Sequence, residues 1–166
     1  MTTNIERAFA ERMDVLQAWE GLKNAIVGNM DLRRYELATF AAAQRLKSSY
    51  CSLAHGSVLR EQFGEDVEAL ARDRAGAGLS EVDLAVMELA EKVVDDASAI
   101  DDGDLEKLRG LGLTDAEVMD VVLAAAARCF LSKTLDGVLA QPDASYSGLP
   151  GELRAVLVIG RPIAAD

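Results

Sequence analysis

The sequence predicts an all-α fold, and three observations support that prediction. Apolar residues recur every three or four positions over most of the chain, which is the spacing of one face of a helix. Only 3 prolines interrupt the 166 residues, and alanine, leucine and charged residues, which suit helices, dominate the composition. Apart from a short stretch at 155–159, no run alternates between apolar and polar residues as a strand does.

The first half of the chain is predicted to contain four helices. Phe9, Met13, Leu16 and Trp19 have the spacing of one helix face, and Asp31 suits the N-cap of the next helix. Glycines at 28, 64, 76 and 78 separate the segments. The predicted helices cover about residues 5–27, 31–46, 48–63 and 66–75.

The second half has clearer helix starts. Ser80 with Asp83, and Thr114 with Glu117, resemble capping boxes, in which two side chains satisfy each other's backbone N–H groups. A turn at 101–103 precedes a short helix. These signals predict helices that begin near 80, 105 and 114, and the last one continues to about 139.

From Gln141 onwards, glycines and prolines predict a tail that is irregular for most of its length. The tail nevertheless contains apolar residues between Leu153 and Ile159, which need burial. We therefore expect a helical domain at 1–140 and an extended tail at 141–166. The sequence leaves open whether the tail packs on its own domain or on a neighbouring subunit.

Charge and hydropathy exclude several classes of partner. The formal net charge of −11 disfavours binding to nucleic acid or to anionic membranes. No apolar run is long enough to span a bilayer, and the first residues lack the apolar core of a signal peptide. We expect a cytoplasmic protein, whose two cysteines do not form a static structural disulfide.

One stretch contains residues suited to thiol chemistry. Cys51 and His55 are four residues apart and Ser48 is three residues before Cys51, so a helix places all three on one stripe. An imidazole beside a thiol favours the thiolate. A helix that begins at Ser48 or Ser49 also places Cys51 in its first turn, where backbone N–H groups favour negative charge.

Glu36 is the second unusual residue, because it lies in line with Leu32 and Phe40 on an apolar helix face. A carboxylate there needs a partner, and His55, the one histidine of the chain, is the candidate. Taken singly, a cysteine and a histidine are more often structural than catalytic. Zinc binding by Glu, Cys and His is a further alternative.

The stretch resembles the carboxymuconolactone decarboxylase/alkylhydroperoxidase D (AhpD) family, whose members carry a Glu followed by a C-x-x-C-x-x-x-H motif. Glu36, Cys51 and His55 match the Glu, the second Cys and the His of that pattern. The run from Tyr50 to Gly56 and the segment 158–163 are similar to the family's peroxidase-related branch. The resemblance covers nearly the whole chain and implies a helical bundle that forms a homo-oligomer.

The chain departs from the family pattern at one position, because Ser48 stands where the first cysteine of the motif is found. Family members with both cysteines cycle through a disulfide, which serine cannot form. The resemblance assigns the peroxidatic role to the second cysteine, here Cys51. Cys129 can replace the missing thiol only if folding brings it close, and otherwise we expect it to be a core residue.

Together with these residues, the resemblance implies a thiol-dependent, antioxidant hydroperoxidase that acts on a small-molecule hydroperoxide and an external thiol reductant. Cys51 is the predicted nucleophile, Glu36 and His55 form a proton relay, and Ser48 donates a hydrogen bond to the thiolate or positions a water. No organic cofactor is expected, since phosphate-binding and dinucleotide-binding motifs are lacking. No metal is expected either, because the stretch offers only three candidate ligands and no second Cys or His nearby. Two alternatives remain: a lyase or hydrolase that uses Glu36 and His55 without the cysteine, and a non-enzymatic oligomer that senses oxidants.

Overall fold

The computed structural model describes residues 2–165, and within that range the chain forms nine α-helices and no strand, joined by loops and short 3-10 turns. The all-α prediction is therefore confirmed. No helix of the described part is long and apolar enough to cross a membrane. The helices are α1 (Asn4–Ala8), α2 (Met13–Val27), α3 (Leu32–Arg45), α4 (Ser49–Phe63), α5 (Val67–Arg72), α6 (Glu81–Asp96), α7 (Asp102–Gly110), α8 (Asp115–Gly137) and α9 (Gly151–Leu157).

Helix α3 lies at the centre of the bundle and packs against α4, α6 and α8. Every residue from Tyr35 to Ala43 is buried, and its four alanines let neighbouring helices approach closely. Leu32, which the sequence places on the inward face, is exposed at the start of the helix. Tyr35 and Glu36 are the first buried side chains of α3, so the centre of the bundle includes polar groups.

Local capping signals set the starts of the helices. The Asp31 carboxylate accepts a hydrogen bond from the backbone of Arg34 at 2.9 Å and caps α3, and Thr114 and Glu117 form the predicted capping box of α8. Ser80 caps α6, but the Asp83 carboxylate accepts a hydrogen bond from the Ser80 hydroxyl and not from the Ser80 backbone N–H. The predicted capping box is therefore incomplete.

The first predicted helix is interrupted, which corrects the expectation of one helix over 5–27. Residues Ala10–Arg12 form a 3-10 turn between α1 and α2. The break allows α1 to bond to distant residues: the Asn4 N–H donates to Asp143 at 2.7 Å and the Ile5 N–H to the Tyr50 hydroxyl at 3.2 Å. The apolar spacing therefore predicts the face of these residues but not the interruption between them.

The tail from Gln141 packs on its own chain. It includes the seven-residue helix α9, which contacts α4 and α5. Leu153 and Leu157 are fully buried, and Leu157 lies so close to Gly56 that a Cβ added there would meet its side chain at 2.8 Å. The strand-like alternation at 155–159 is therefore not a strand, since most of it belongs to α9.

Candidate functional site

Helices α3 and α4 bring Glu36 and His55 into direct contact. The Nδ1 atom of His55 lies 2.6 Å from Oε2 of Glu36. Glu36 is 6% exposed and His55 is 8% exposed, so the pair is largely shielded from water but not sealed. The Thr39 hydroxyl, one turn after Glu36, lies 3.2 Å from the same nitrogen and donates its own hydrogen to the carbonyl of Tyr35.

His55 is neutral in this environment. Burial, followed by the nearby positive charge of Arg128, lowers the pKa of His55 to about 4, although Glu36 opposes the shift. A neutral imidazole carries one hydrogen, and the contacts with the Glu36 carboxylate and the Thr39 hydroxyl place it on Nδ1. Nε2 therefore presents a lone pair, so this edge of the ring can accept a proton.

The chain's single histidine makes this protonation state measurable. We expect the Hε1 resonance of His55 to titrate with a midpoint of about 4 in proton NMR spectra, instead of the ordinary value of about 6.5. Because the pKa is depressed in the folded state, stability present above pH 6.5 is lost as the pH falls towards 4, by up to about 3 kcal/mol. Glu36→Gln should lower the midpoint further, and a wild-type midpoint near 6.5 would contradict a buried, neutral ring.

Cys51 lies one helical turn before His55, in the first turn of α4, and is only 1% exposed. Side chains from α2, α3, α8 and the turn after α1 surround it, and together we call them the Cys51 cluster. These are Phe9, Leu16, Trp19, Ala43, Leu131 and Leu135. A substrate reaches the sulfur only when some of this cover moves.

Two side chains of α8 donate hydrogen bonds to the sulfur. The Ser132 hydroxyl lies 3.1 Å from Sγ of Cys51, and Nη1 of Arg128 lies 3.5 Å from it. Arg128 and Ser132 are four residues apart and so project from the same face of the helix. The thiol therefore lies in a polar niche within an otherwise apolar cluster.

Arg128 joins the two halves of the site. Its Nη2 donates to the Tyr35 hydroxyl at 3.3 Å, and the ring of Tyr35 meets that of His55 edge to face, with centroids 6.1 Å apart. Cys51 itself makes no hydrogen bond to Glu36 or His55 among the described contacts. Cys51, His55 and Glu36 thus belong to one buried site. The contacts that connect the sulfur to the acid–imidazole pair run through Arg128 and Tyr35.

Ser48 does not make the contact predicted for it. Its hydroxyl is buried without a hydrogen-bond partner and faces the Asp136 carboxyl instead of the sulfur. Ser48 is the N-cap residue of α4, and this position directs its side chain away from the stripe of Cys51 and His55. The hydroxyl bonded to Cys51 belongs to Ser132.

Cys129 is half-buried and lies outside the Cys51 cluster, although its neighbour Arg128 contacts the sulfur. Burial raises the pKa of the Cys129 thiol, so it is protonated at neutral pH. Neither its placement nor its charge state suits a resolving thiol.

The sequence interpretation missed four groups: Tyr35, Thr39, Arg128 and Ser132. A signal for two of them exists in α8, where a stripe with alternating spacings of four and three residues contains a charge and a hydroxyl. The stripe reads Val121, Ala125, Arg128, Ser132, Leu135. A charged residue on the buried stripe of an apolar helix indicates a functional or structural partner in the core.

No group of three or more His, Cys, Asp and Glu side chains suited to a metal ion is found within residues 2–165. The donors at the site are a carboxylate and an imidazole that bond to each other and a thiol that bonds to Arg128 and Ser132.

Comparison with known proteins identifies the fold. No protein-family model and no curated protein matches the sequence, but several solved structures share its architecture. An uncharacterised peroxidase-related protein with an AhpD core from Ralstonia eutropha has a TM-score of 0.80 at 21% identity, over 88% of this chain and 80% of its own. An uncharacterised peroxidase-related protein from Silicibacter has a TM-score of 0.80 at 23% identity, and the match covers 89% of this chain and 80% of its own.

A third structure is a protein of unknown function from Agrobacterium tumefaciens, proposed to be the antioxidant defence protein AhpD. It has a TM-score of 0.72 at 20% identity and covers 86% of this chain and 99% of its own. The protein therefore has the AhpD-like all-α fold. At these identities the likeness concerns the fold, and function has to be argued from the site.

Proposed function

We propose that the protein is a thiol-dependent hydroperoxidase in which Cys51 is the nucleophile and Glu36 and His55 transfer protons. The observation that carries this proposal is the 2.6 Å contact between Glu36 and a neutral His55, one helical turn from a thiol that accepts two hydrogen bonds. A nucleophile, a base within the same buried site and a group that orients the base are the parts that thiol catalysis needs. The AhpD-like fold of peroxidase-related proteins supports the same reading.

In the first step, the Cys51 thiolate attacks the terminal oxygen of a hydroperoxide ROOH. An S–O bond forms and the O–O bond breaks, so Cys51 is oxidised to the sulfenic acid and RO⁻ leaves. A proton taken up from water passes through Nε2 of His55 to RO⁻, which leaves as ROH, and the proton released when Cys51 is regenerated restores the balance. The Glu36 carboxylate holds the ring in the tautomer that this transfer requires and stabilises the imidazolium while it exists.

In the second step, an external thiol attacks the sulfenic sulfur, forms a mixed disulfide and releases water. A second thiol then displaces Cys51 as the thiolate, releases one proton and leaves with the first as a disulfide. The net reaction is ROOH + 2 RSH → ROH + H₂O + RSSR. An external reductant is needed because Ser48 cannot form a disulfide and Cys129 lies outside the Cys51 cluster. We place this cycle in the cytoplasm, where reduced thiols are abundant.

Trapping of the oxidised intermediate tests the proposal. We expect a stoichiometric amount of cumene hydroperoxide, with dimedone present, to give one adduct per chain, which peptide mass spectrometry locates at Cys51 and not at Cys129. Turnover with dithiothreitol should form one equivalent of oxidised dithiothreitol for each peroxide reduced. An adduct at Cys129, or none, contradicts the proposal, and an adduct at Cys51 without turnover by any thiol supports the sensor alternative instead.

A second candidate function is a lyase or hydrolase that acts on an anionic lactone through Glu36 and His55 alone. The position of Arg128 favours this second function. Its guanidinium lies near the Glu36–His55 pair and supplies the positive charge that an anionic substrate requires. The two candidates differ in their need for sulfur. A lactone-decarboxylating activity that persists in Cys51→Ser would favour the second one.

We also propose that the chain forms a homo-oligomer through the outer face of α8. Met119, Leu123 and Phe130 are exposed there at helical spacing, and an apolar stripe of this kind is typical of a protein–protein contact. A monomer in sedimentation-velocity experiments at micromolar concentration would contradict this.

A further inference from the structure

The buried charge of Arg128 has no carboxylate partner. The residue is 4% exposed and lies in the middle of α8. Within residues 2–165 no carboxylate oxygen comes within 4.0 Å of its guanidinium. A buried cation without a counter-charge is strongly unfavourable, so a partner of opposite charge is needed nearby.

The contacts of the guanidinium leave few candidates for that partner. Nη2 bonds to Tyr35, but burial raises the pKa of this phenol, which is therefore neutral. Nε is buried without a partner, and the plane of the group lies over the Trp19 ring, 5.6 Å from its centroid. The remaining contact is Nη1 with the sulfur of Cys51 at 3.5 Å.

We propose that Arg128 and Cys51 form a buried ion pair, so that Cys51 rests as a thiolate held by the guanidinium. Arg128 is then a positioning residue for the proposed hydroperoxidase: it sets the charge of the nucleophile, whereas the Glu36–His55 pair moves protons. This division of roles fits the chemistry of His55. An imidazole whose pKa is lowered to about 4 is a weak base and cannot by itself keep a neighbouring thiol ionised.

Other groups around the pair support or oppose this charge. The Ser132 hydroxyl bonds to the same sulfur at 3.1 Å, and the first turn of α4 favours an anion. Glu36 is the nearby opposing charge, but its Oε2 is bonded to His55. The titratable and charged side chains that face the pair from the surrounding elements are Lys23, Tyr35, Glu36, Tyr50, His55, Asp143 and Tyr146.

Thiolate absorbance at 240 nm tests the ion pair without requiring catalysis. In a Cys129→Ser background, the absorbance that disappears in Cys51→Ser belongs to Cys51. We expect this signal to persist at pH 6, where an ordinary free thiol is protonated. Arg128→Met should lower it about tenfold or more at that pH, because the charge that stabilises the anion is gone.

Three variants separate this charge effect from a structural one. Arg128→Lys keeps the charge and should restore much of the absorbance, and Ser132→Ala removes the second donor with a smaller loss. His55→Gln should leave the absorbance nearly unchanged. Equal absorbance in wild type and Arg128→Met would overturn the proposal, and so would loss of the signal in His55→Gln. A wild-type signal that appears only above pH 8 overturns it even if no Arg128 variant folds.

The ion pair and the proposed function fail in different ways. A thiolate that depends on Arg128 but does not react with hydroperoxide would support the pair and contradict the hydroperoxidase. A Cys51 that reacts with hydroperoxide but whose thiolate absorbance is independent of Arg128 would support the hydroperoxidase and contradict the ion pair.

Discussion

Cys51→Ser is expected to abolish hydroperoxide turnover, with a fall in kcat/KM of roughly a thousandfold or more. A serine hydroxyl is not ionised near neutral pH and cannot replace the sulfur as a nucleophile towards an O–O bond. The substitution retains a small hydrogen-bonding group between Arg128 and Ser132 but removes the negative charge proposed to pair with Arg128, so we expect a folded protein of lower stability. Coupled consumption of hydroperoxide and dithiothreitol, with purified protein, measures the effect.

Cys129→Ser is the matched control for this prediction. It removes the other thiol of the chain from a half-buried position outside the Cys51 cluster and should leave kcat/KM within about twofold of wild type. Unfolding by urea shows whether either variant has lost stability. If Cys51→Ser retained turnover, or if Cys129→Ser lost it, the assignment of the nucleophile would be wrong.

The parts of the fold that the sequence predicts well are those determined by neighbouring residues. Asp31 caps α3, and Thr114 with Glu117 caps α8, because each cap involves groups only three residues apart. The break between α1 and α2 lacks such a local signal. The separate helix α1 that results makes bonds from Asn4 and Ile5 to residues far along the chain, which local sequence patterns do not reveal.

In the candidate site, too, some contacts can be predicted from the sequence and others depend on the tertiary structure. The contact between Glu36 and His55 could be anticipated, since an acid on an apolar face requires a partner and the chain has one histidine. The place of Arg128 is less evident, because the apolar residues of α8 fit a stripe through Cys129 as well as one through Arg128, and the rotation of α8 depends on packing against α2 and α3. Helical periodicity places a residue on a face, but the neighbours of that face belong to the tertiary structure.

The packing of the C-terminal tail depends on a close approach between Gly160 and the turn between α3 and α4, which sequence patterns do not reveal. Its glycines predicted irregular structure, but they did not show which surface the tail would meet. Gly160 lies directly against the turn between α3 and α4, where its N–H donates to the hydroxyl of Ser49 at 2.8 Å. This contact fixes the tail on its own chain at the start of the helix that carries Cys51.

Gly160→Ala is therefore expected to lower the free energy of unfolding by about 2–4 kcal/mol. The added Cβ would lie 2.1 Å from the backbone oxygen of Lys47, and a backbone atom cannot move aside as a side chain can. The tail would have to lift, which breaks the bond to the buried Ser49 hydroxyl and the bond from Arg161 to the Asp136 carbonyl. Urea unfolding measures the loss, and limited proteolysis should show earlier cleavage within 158–165.

Gly21→Ala is the control for this effect. Gly21 is exposed within α2, and a Cβ there meets nothing within 4 Å, so alanine should stabilise the helix by roughly 0.5–1 kcal/mol. The two substitutions add the same methyl group, and their opposite signs follow from the space around each glycine. An unchanged unfolding midpoint in Gly160→Ala would mean that the tail does not rest on the α3–α4 turn. In that case the start of α4, and with it the position of Cys51, would not depend on the C-terminal segment.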